Sequence, residues 1–341
     1  MDNLTHSLMG AGIAGALLTR RLGPRAMLLG IAAANMPDLD ILIRYDNVID
    51  AMTYHRGFSH SLLFETAVAP LIAWGVTRIW RRTRDHWWPM LLTVWLCLIT
   101  HALLDSLTTY GTQLFWPIHA VPPVAFPAIF IIDPLFTLIL LVGIIIAVWR
   151  RKRPERMVAA SIATLSVAGI YLAAGMLGHV AVAARAADNP AFAGERIFVQ
   201  PAPLNILFWN VTAVSDEAVI RGSSMVFPGC AITHVDSEPR HSRPPDGFDL
   251  PPAVRRLEWF TDGFYMFNAG ADGLTISDLR IGIERALPFT FLIGEREGEG
   301  YAPVRPRQVG GGINPDSTLS GLFADMQENW RKCWGGETSG S

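Results

Sequence analysis

Apolar residues fill the first half of the chain in stretches much longer than the polar segments between them. Residues 60–80 and 87–110 each reach the roughly 20 residues that carry a helix across a hydrocarbon core at 1.5 Å per residue, and both predict spanning helices. Residues 129–149, almost free of charge apart from Asp133, predict a third. Residues 157–187 predict a fourth, rich in the Ala and Gly that let membrane helices pack closely. Ahead of these, 5–19 and 24–35 are shorter apolar pieces split by the turn Arg20-Arg21-Leu22-Gly23, marginal lengths for crossing. From residue 190 the texture changes to short runs of β-branched and aromatic residues separated by Gly, Pro, Asp and Asn. These predict strands at 196–200, 206–214, 217–227, 256–267, 274–282 and 288–294.

The expected fold class is an α-helical integral membrane domain of four to six membrane helices, followed by a small antiparallel β domain. The expected boundaries are 1–187 for the helical domain, 190–304 for the β-rich domain and 305–341 for a C-terminal tail. Within that tail, 318–334 is weakly amphipathic and reads as one helix or as partly disordered chain.

Composition strengthens the membrane reading. Half of the residues are hydrophobic and 17% are charged, where soluble chains approach a quarter. The net charge of -2 conceals an asymmetry. Basic residues gather in three clusters, at 20–25, 78–84 and 150–156, at alternate ends of the expected helices. The positive-inside rule makes all three loops cytoplasmic, so the clusters speak to topology and not to nucleic acid. If the two short segments form a hairpin, the linkers 35–59 and 111–128 and everything after residue 187 fall on the periplasmic side. The start, MDNLTHS, lacks a basic n-region and a small-residue cleavage site, so insertion is expected to use the helices themselves. Three cysteines supply no metal or disulfide framework, and a Cys230–Cys333 bridge, which would need an oxidising compartment, is not the expected state.

Seven potential metal ligands interrupt this apolar region: His6, Asp38, Asp40, His55, His60, His101 and Asp105. Each has a plain reading alone. His6 fits a helix first turn, Asp38 and Asp40 fit a turn after Pro37, and His101 with Asp105, four apart on a helix, fits a buried pair. The topology groups them, because each falls in an outer loop or the outer part of a helix. Ionisable groups at membrane depth are costly unless paired, solvated or metal-bound, so a cluster of them is a functional hypothesis. Four imidazoles and three carboxylates suit a divalent metal, with zinc favoured and manganese or iron alternatives, as one ion or two. Arg56 is the candidate anion-binding group, Asp40 a bridging ligand or general base, and Glu65 a further ligand or general base.

The order Thr5-His6, Pro37-Asp38-Leu39-Asp40, His55-Arg56-Gly57-Phe58-Ser59-His60-Ser61 and His101-Ala102-Leu103-Leu104-Asp105 resembles the LexA-binding, inner-membrane-associated metal-dependent hydrolase family. The resemblance covers roughly the first 135 residues. Pro203-Leu204-Asn205 with Trp209, and Ser277-Asp278-Leu279-Arg280, are similar to less specific later patterns of that family. It implies a multi-pass protein of the bacterial inner membrane and the same seven ligands, but no substrate. The function expected is metal-dependent hydrolysis of an ester or phosphoester, with a lipid-linked substrate in the surrounding bilayer as a candidate, at the outer face of the membrane. The competing expectation is a non-catalytic metal-binding membrane protein, a transporter or sensor. The apolar inner halves of the helices, such as 72–76 and 140–148, count against a conduit.

Overall fold

Asp2 accepts a hydrogen bond from the Thr5 amide and starts α1 (Asn3–Leu22). Gly23, at φ 65°, turns the chain into α2 (Arg25–Ala34). In this computed structural model, which describes residues 1–282, 287–310 and 315–334, the two helices form a hairpin whose closest approach is at Gly10 and Gly30. A Cβ on either glycine would overlap the carbonyl oxygen of the other, so the pairing depends on their having none.

A 3-10 turn (Pro37–Leu42), α3 (Val48–Tyr54) and a second 3-10 turn (Phe58–His60) lead to α4 (Leu62–Ile79), which Ser61 caps. There follow α5 (Trp87–Ser106), α6 (Pro134–Trp149) and α7 (Pro154–Ala187). Leu18, Ala26, Ala69, Ala73, Met90 and Val94 are buried together where the hairpin meets α4 and α5.

Among the described residues, three helices are long and apolar enough to cross a membrane: Leu62–Ile79, Thr83–Ser106 and Pro154–Ala187. The helices α2 and α6 are apolar but shorter. The third expected span begins late because Asp133, which accepts from the Phe136 amide, caps α6 immediately before Pro134. That leaves 16 residues, roughly 24 Å of helix, in place of 21.

The chain divides into two compact units. One comprises Met1–Arg44, Tyr54–Phe126 and Ile131–Gly175; the other comprises Tyr45–Thr53, Pro127–Phe130 and Met176–Ser341. The second contains two four-stranded antiparallel sheets. The first sheet is β1 (Arg196–Pro201), β2 (Phe208–Val214), β3 (Ala218–Met225) and β4 (Thr233–Pro239), paired in that order. After α8 (Pro252–Phe260), the second sheet is β5 (Tyr265–Gly270), β6 (Gly273–Asp278), β7 (Thr290–Glu297) and β8 (Gly300–Gln308), also paired in order. The last element is α9 (Pro315–Trp334).

Several expectations change here. The strand expected at 256–267 is a helix up to Phe260, because Pro252 at its first position sets helical φ and Ala253, Val254, Leu257 and Phe260 form one buried face. The tail expected from 305 instead starts inside β8, which runs to Gln308. Segment 318–334 lies within the helix α9. Cys230 and Cys333 are joined in a disulfide, against the sequence expectation. Asp278 and Arg280 form a buried two-pronged ion pair, with Nε at 3.1 Å and Nη2 at 2.8 Å from the two carboxylate oxygens. Asn205 accepts from the amides of Leu207 and Phe208, so both later motifs serve the local fold.

Candidate metal centre

Three pieces of chain deliver four side chains to one point inside the helical unit. The 3-10 turn after Pro37 supplies Asp38, the turn Phe58–His60 supplies His60, and the last two turns of α5 supply His101 and Asp105, one helical turn apart. One potential ligand atom from each lies within 4.8 Å of the other three. The two imidazole Nε2 atoms are 3.0 Å apart. Asp38 Oδ1 is 3.5 Å from His60 Nε2 and 3.4 Å from His101 Nε2. Asp105 Oδ2 is 3.3 Å and 3.6 Å from the same two atoms.

These spacings have a simple meaning. Four donors at tetrahedral corners with bonds of about 2.1 Å lie roughly 3.4 Å from one another. The opposite ring nitrogens point the same way. His101 Nδ1 is 2.6 Å from the carbonyl oxygen of Ala34, which can only accept, so that nitrogen carries the proton and Nε2 is left with a lone pair. His60 Nδ1 lies 2.9 Å from Ser59 Oγ, which in turn donates to Asp40 Oδ2 at 2.7 Å. Since Ser59 spends its proton on Asp40, His60 Nδ1 is the donor and its Nε2 also presents a lone pair. Two lone pairs 3.0 Å apart beside two carboxylates repel unless a proton or a cation lies among them. Asp105 Oδ2 is buried and accepts no hydrogen bond in good geometry, which again fits a cation. The residues present therefore fit a divalent metal ion.

The remaining sequence candidates surround this group. Asp40 is held through both oxygens, Oδ1 by His55 Nδ1 at 2.8 Å and Oδ2 by Ser59 and the Arg56 amide at 3.1 Å. Burial alone would raise its pKa, but the His55 hydrogen bond and charge outweigh burial and hold it below the ordinary carboxylate value. Asp38 is likewise pushed up by burial and brought below the ordinary range by contacts with His101 and His60. His55 is a quarter exposed and lies outside the group of four. His6 stacks on His101 with ring centroids 3.7 Å apart and reaches Asp105 Oδ1 at 3.2 Å, while its buried Nδ1 has no partner. The Met1 amino group also touches Asp105.

Arg56 is buried at φ 59°, a left-handed conformation that favours glycine. Its Nε is 3.0 Å from Asp105 Oδ2, an ion pair by distance whose alignment is too poor for a hydrogen bond. Its Nη1 donates to Thr108 at 3.2 Å, and its guanidinium lies over the Tyr110 ring. Glu65, in the first turn of α4, is buried with neither carboxylate oxygen partnered. It lines, with Asp40 and Ser59, an otherwise apolar cavity of about 260 Å³ whose walls include Met36, Leu39, Phe64, Val68 and Leu98.

Sequence reasoning missed the Ala34 carbonyl, the Ser59 relay and Thr108. A main-chain acceptor leaves no trace in residue identities. Ser59 stands in the motif without a role of its own, although its position directly before His60 is the signal that could have marked it.

Comparison with known proteins agrees with the membrane setting. The family model described as YdjM inner membrane protein matches residues 1–179. The Escherichia coli (strain K12) inner membrane protein YbcI is 36% identical over 118 residues, 33% of this chain and 64% of YbcI. The Bacillus subtilis (strain 168) uncharacterized protein YfhP is 30% identical over 129 residues, 34% of this chain and 37% of YfhP. The chain thus spans less than two thirds of either relative. No solved structure matches. With the model covering residues 1–179 of 341, the whole of the helical hairpin and the metal-ligand group included, the chain belongs to the YdjM inner membrane protein family and is a multi-pass protein of the inner membrane.

Proposed function

We propose that this protein is a membrane-bound metal-dependent hydrolase acting on an ester or phosphoester of a lipid-type substrate at the outer face of the inner membrane. The observation that carries the reading is the convergence of four donors within 4.8 Å of one another, three of them buried and two of them imidazoles whose Nε2 lone pairs face each other at 3.0 Å. Asp38, His60, His101 and Asp105 would hold the ion, zinc being the first choice for such a nitrogen and oxygen set. A bound divalent ion supplies Lewis acidity toward the scissile group and lowers the pKa of water.

The protein's own groups do the rest. Asp40 fixes His60 through Ser59, as carboxylates behind metal-binding imidazoles do. Arg56 balances the charge of Asp105 and orients it, since its guanidinium is already engaged by Thr108 and Tyr110. His6 abuts Asp105 and, with one ring nitrogen unpartnered, is placed to carry a proton. Glu65 offers an unpartnered carboxyl to the apolar cavity, where it can accept or give a proton beside a bound chain. That cavity, apolar apart from Asp40, Ser59 and Glu65, suits an acyl chain with an ester or phosphoester at its end.

The topology belongs to the same proposal. Six helices with both ends outside, counting the hairpin and α6, satisfy all three basic clusters. The Cys230–Cys333 disulfide supports an oxidising, extracytoplasmic location for the β-rich domain, taken from 190 to the end of β8 at Gln308, and for the tail after it, following a helical domain of 1–187.

A second reading, non-catalytic metal binding for transport or sensing, is favoured by one feature. Four protein donors close a tetrahedron, whereas catalytic zinc keeps a position open. Of the four residues that would hold the ion, Asp38 is the most exposed, at 15%. Metal analysis after metal-replete purification, beside a His60→Ala/His101→Ala variant, separates the outcomes. About one ion per chain in the wild type and none in the variant is expected, with hydrolysis of phospholipid vesicles or an aryl phosphodiester by the wild type alone. Equal, negligible metal in both refutes the site; bound metal without hydrolysis supports the second reading.

A further inference from the structure

The first sheet of the second unit has one face that is easy to explain and one that is not. Val199, Trp209, Val211 and Ala213 lie on the first face and bury against Val182 and Ala186 of α7. On the opposite face apolar residues occur at the ends. Phe208 and Met225 pack with Cys230 at one end, and Val214 and Val219 pack with Phe264 and Leu279 at the other. Between these apolar ends the period-two alternation puts polar side chains where a covered sheet would carry apolar ones. The register makes Gln200, Asn210 and Ser223 one cross-strand row and Thr212, Arg221 and Asp236 the next.

These six line a cavity of about 320 Å³, near the lower limit of small-molecule sites. Asp325 of α9 and His234 complete its polar wall. Gln200, Thr212 and Ser223 are buried residues, and of their side chains only that of Ser223 has a protein partner, Asn329 of α9 at 3.1 Å, while the polar atoms of Gln200 and Thr212 open onto the cavity. Among the described residues, no protein group hydrogen-bonds the side chains of Gln200, Asn210 or Thr212. Arg221 pairs with Glu238 through Nη1 and keeps a buried Nη2 without a partner. Polar side chains this sheltered usually bond to protein groups, and several on one wall that instead present their donors and acceptors to a cavity, beside the buried Arg221 Nη2, call for an explanation.

Their chemistry selects the ligand. Two amides and a hydroxyl each donate and accept, which matches neighbouring hydroxyl groups that do the same. Asp236 and Asp325 on the same wall, with Arg221 already neutralised by Glu238, repel a phosphate or carboxylate. The polar floor also rejects a lipid tail. We propose that this cavity is a second ligand site, distinct from the metal centre, and that it binds a neutral sugar of one or two rings through Gln200, Asn210, Thr212 and the free edge of Arg221.

The test uses the full chain in nanodiscs, free of sugar-headed detergent. Glucose, N-acetylglucosamine and trehalose are the probes, followed by saturation-transfer NMR and calorimetry, with inorganic phosphate as the anionic comparison. Saturable binding of at least one sugar is expected, weakened tenfold or more by Gln200→Leu and by Asn210→Leu. Removing an unpartnered polar group leaves the melting temperature of the free protein unchanged or raised. Thr212→Val, which deletes one hydroxyl at constant shape, serves if either leucine variant fails to fold. The proposal is overturned if none of the sugars binds by about 10 mM, well beyond a millimolar site. Binding that survives the substitutions, or phosphate binding in place of sugar, overturns it equally.

Discussion

Removing the Ser59 hydroxyl isolates the part of the site that orients a candidate ligand, His60, while leaving all four candidate ligands in place. In the protein, His60 Nδ1 reaches Ser59 Oγ at 2.9 Å and Ser59 reaches Asp40 Oδ2 at 2.7 Å. Without the hydroxyl, His60 Nδ1 faces Asp40 Oδ2 across 3.7 Å, beyond a normal hydrogen bond. Nothing then fixes which nitrogen carries the proton, and the ring loses its reason to present Nε2 inward. Losing such a partner typically weakens metal binding about 10- to 100-fold, equivalent to about 1.4–2.7 kcal/mol. Ser59→Ala belongs at the weaker end, near tenfold, because a small shift or one water can restore contact with Asp40. Asp40→Asn belongs near 100-fold, since Asp40 receives three donors, from His55, Arg56 and Ser59, and an amide oxygen replaces only part of that. Asp40 is held below the ordinary carboxylate pKa, so the change also removes a real charge at neutral pH. Competition against a chromophoric chelator gives both affinities on folded protein. An affinity within about twofold of wild type for both variants would refute the orienting relay.

Two further predictions concern the frame around the site. Gly10→Val puts a branched side chain into the Gly30 carbonyl, so the hairpin should open or fail to insert; because α1 carries His6 and α2 carries the Ala34 acceptor, metal content should fall with it, and a normal yield of metal-loaded, wild-type-stable protein would contradict the packing. Cys333→Ala removes a cross-link spanning 103 residues and should lower the stability of the second unit by about 2–4 kcal/mol in a denaturant titration, while wild-type Cys230 should resist alkylation until reductant is added; free Cys230 in unreduced cell membranes would count against both the bridge and the extracytoplasmic assignment.

How much of this was legible in the sequence depends on how locally each feature is specified. The long helices announce themselves because a bilayer demands length and apolarity in one uninterrupted segment, as Leu62–Ile79 and Thr83–Ser106 provide. The strands do so only where one face is buried. Strand β4, T-H-V-D-S-E-P, is exposed along most of its length, and β8 carries Pro303 and Pro306 at a sheet edge. Such edges have no hydrophobic alternation to read and are protected by charge and proline. The start of the strand expected at 256–267 misleads for the opposite reason. Trp259 and Phe260 suit a strand by type, and it is the buried spacing of Ala253, Val254, Leu257 and Phe260 after Pro252 that makes a helix.

The candidate site shows the same division at finer scale. Residue types and order identify His55 and His60 as equals, five positions apart in one turn. Their difference arises from which oxygen of Asp40 each addresses. His55 spends Nδ1 directly on Oδ1, whereas Ser59 intercepts Oδ2 and leaves His60 facing Asp38, His101 and Asp105. That split requires the chain to turn sharply between the two histidines, and the turn is made at Arg56, a non-glycine residue at φ 59°. Such a conformation costs of order 1 kcal/mol or more, which glycine at this position would avoid. Here the side chain repays the strain, because the same backbone twist that separates the histidines delivers the guanidinium to Asp105 and the amide to Asp40. A residue chosen against its own backbone preference, whose guanidinium meets Asp105, Thr108 and Tyr110 while its amide meets Asp40, is positioned for the site.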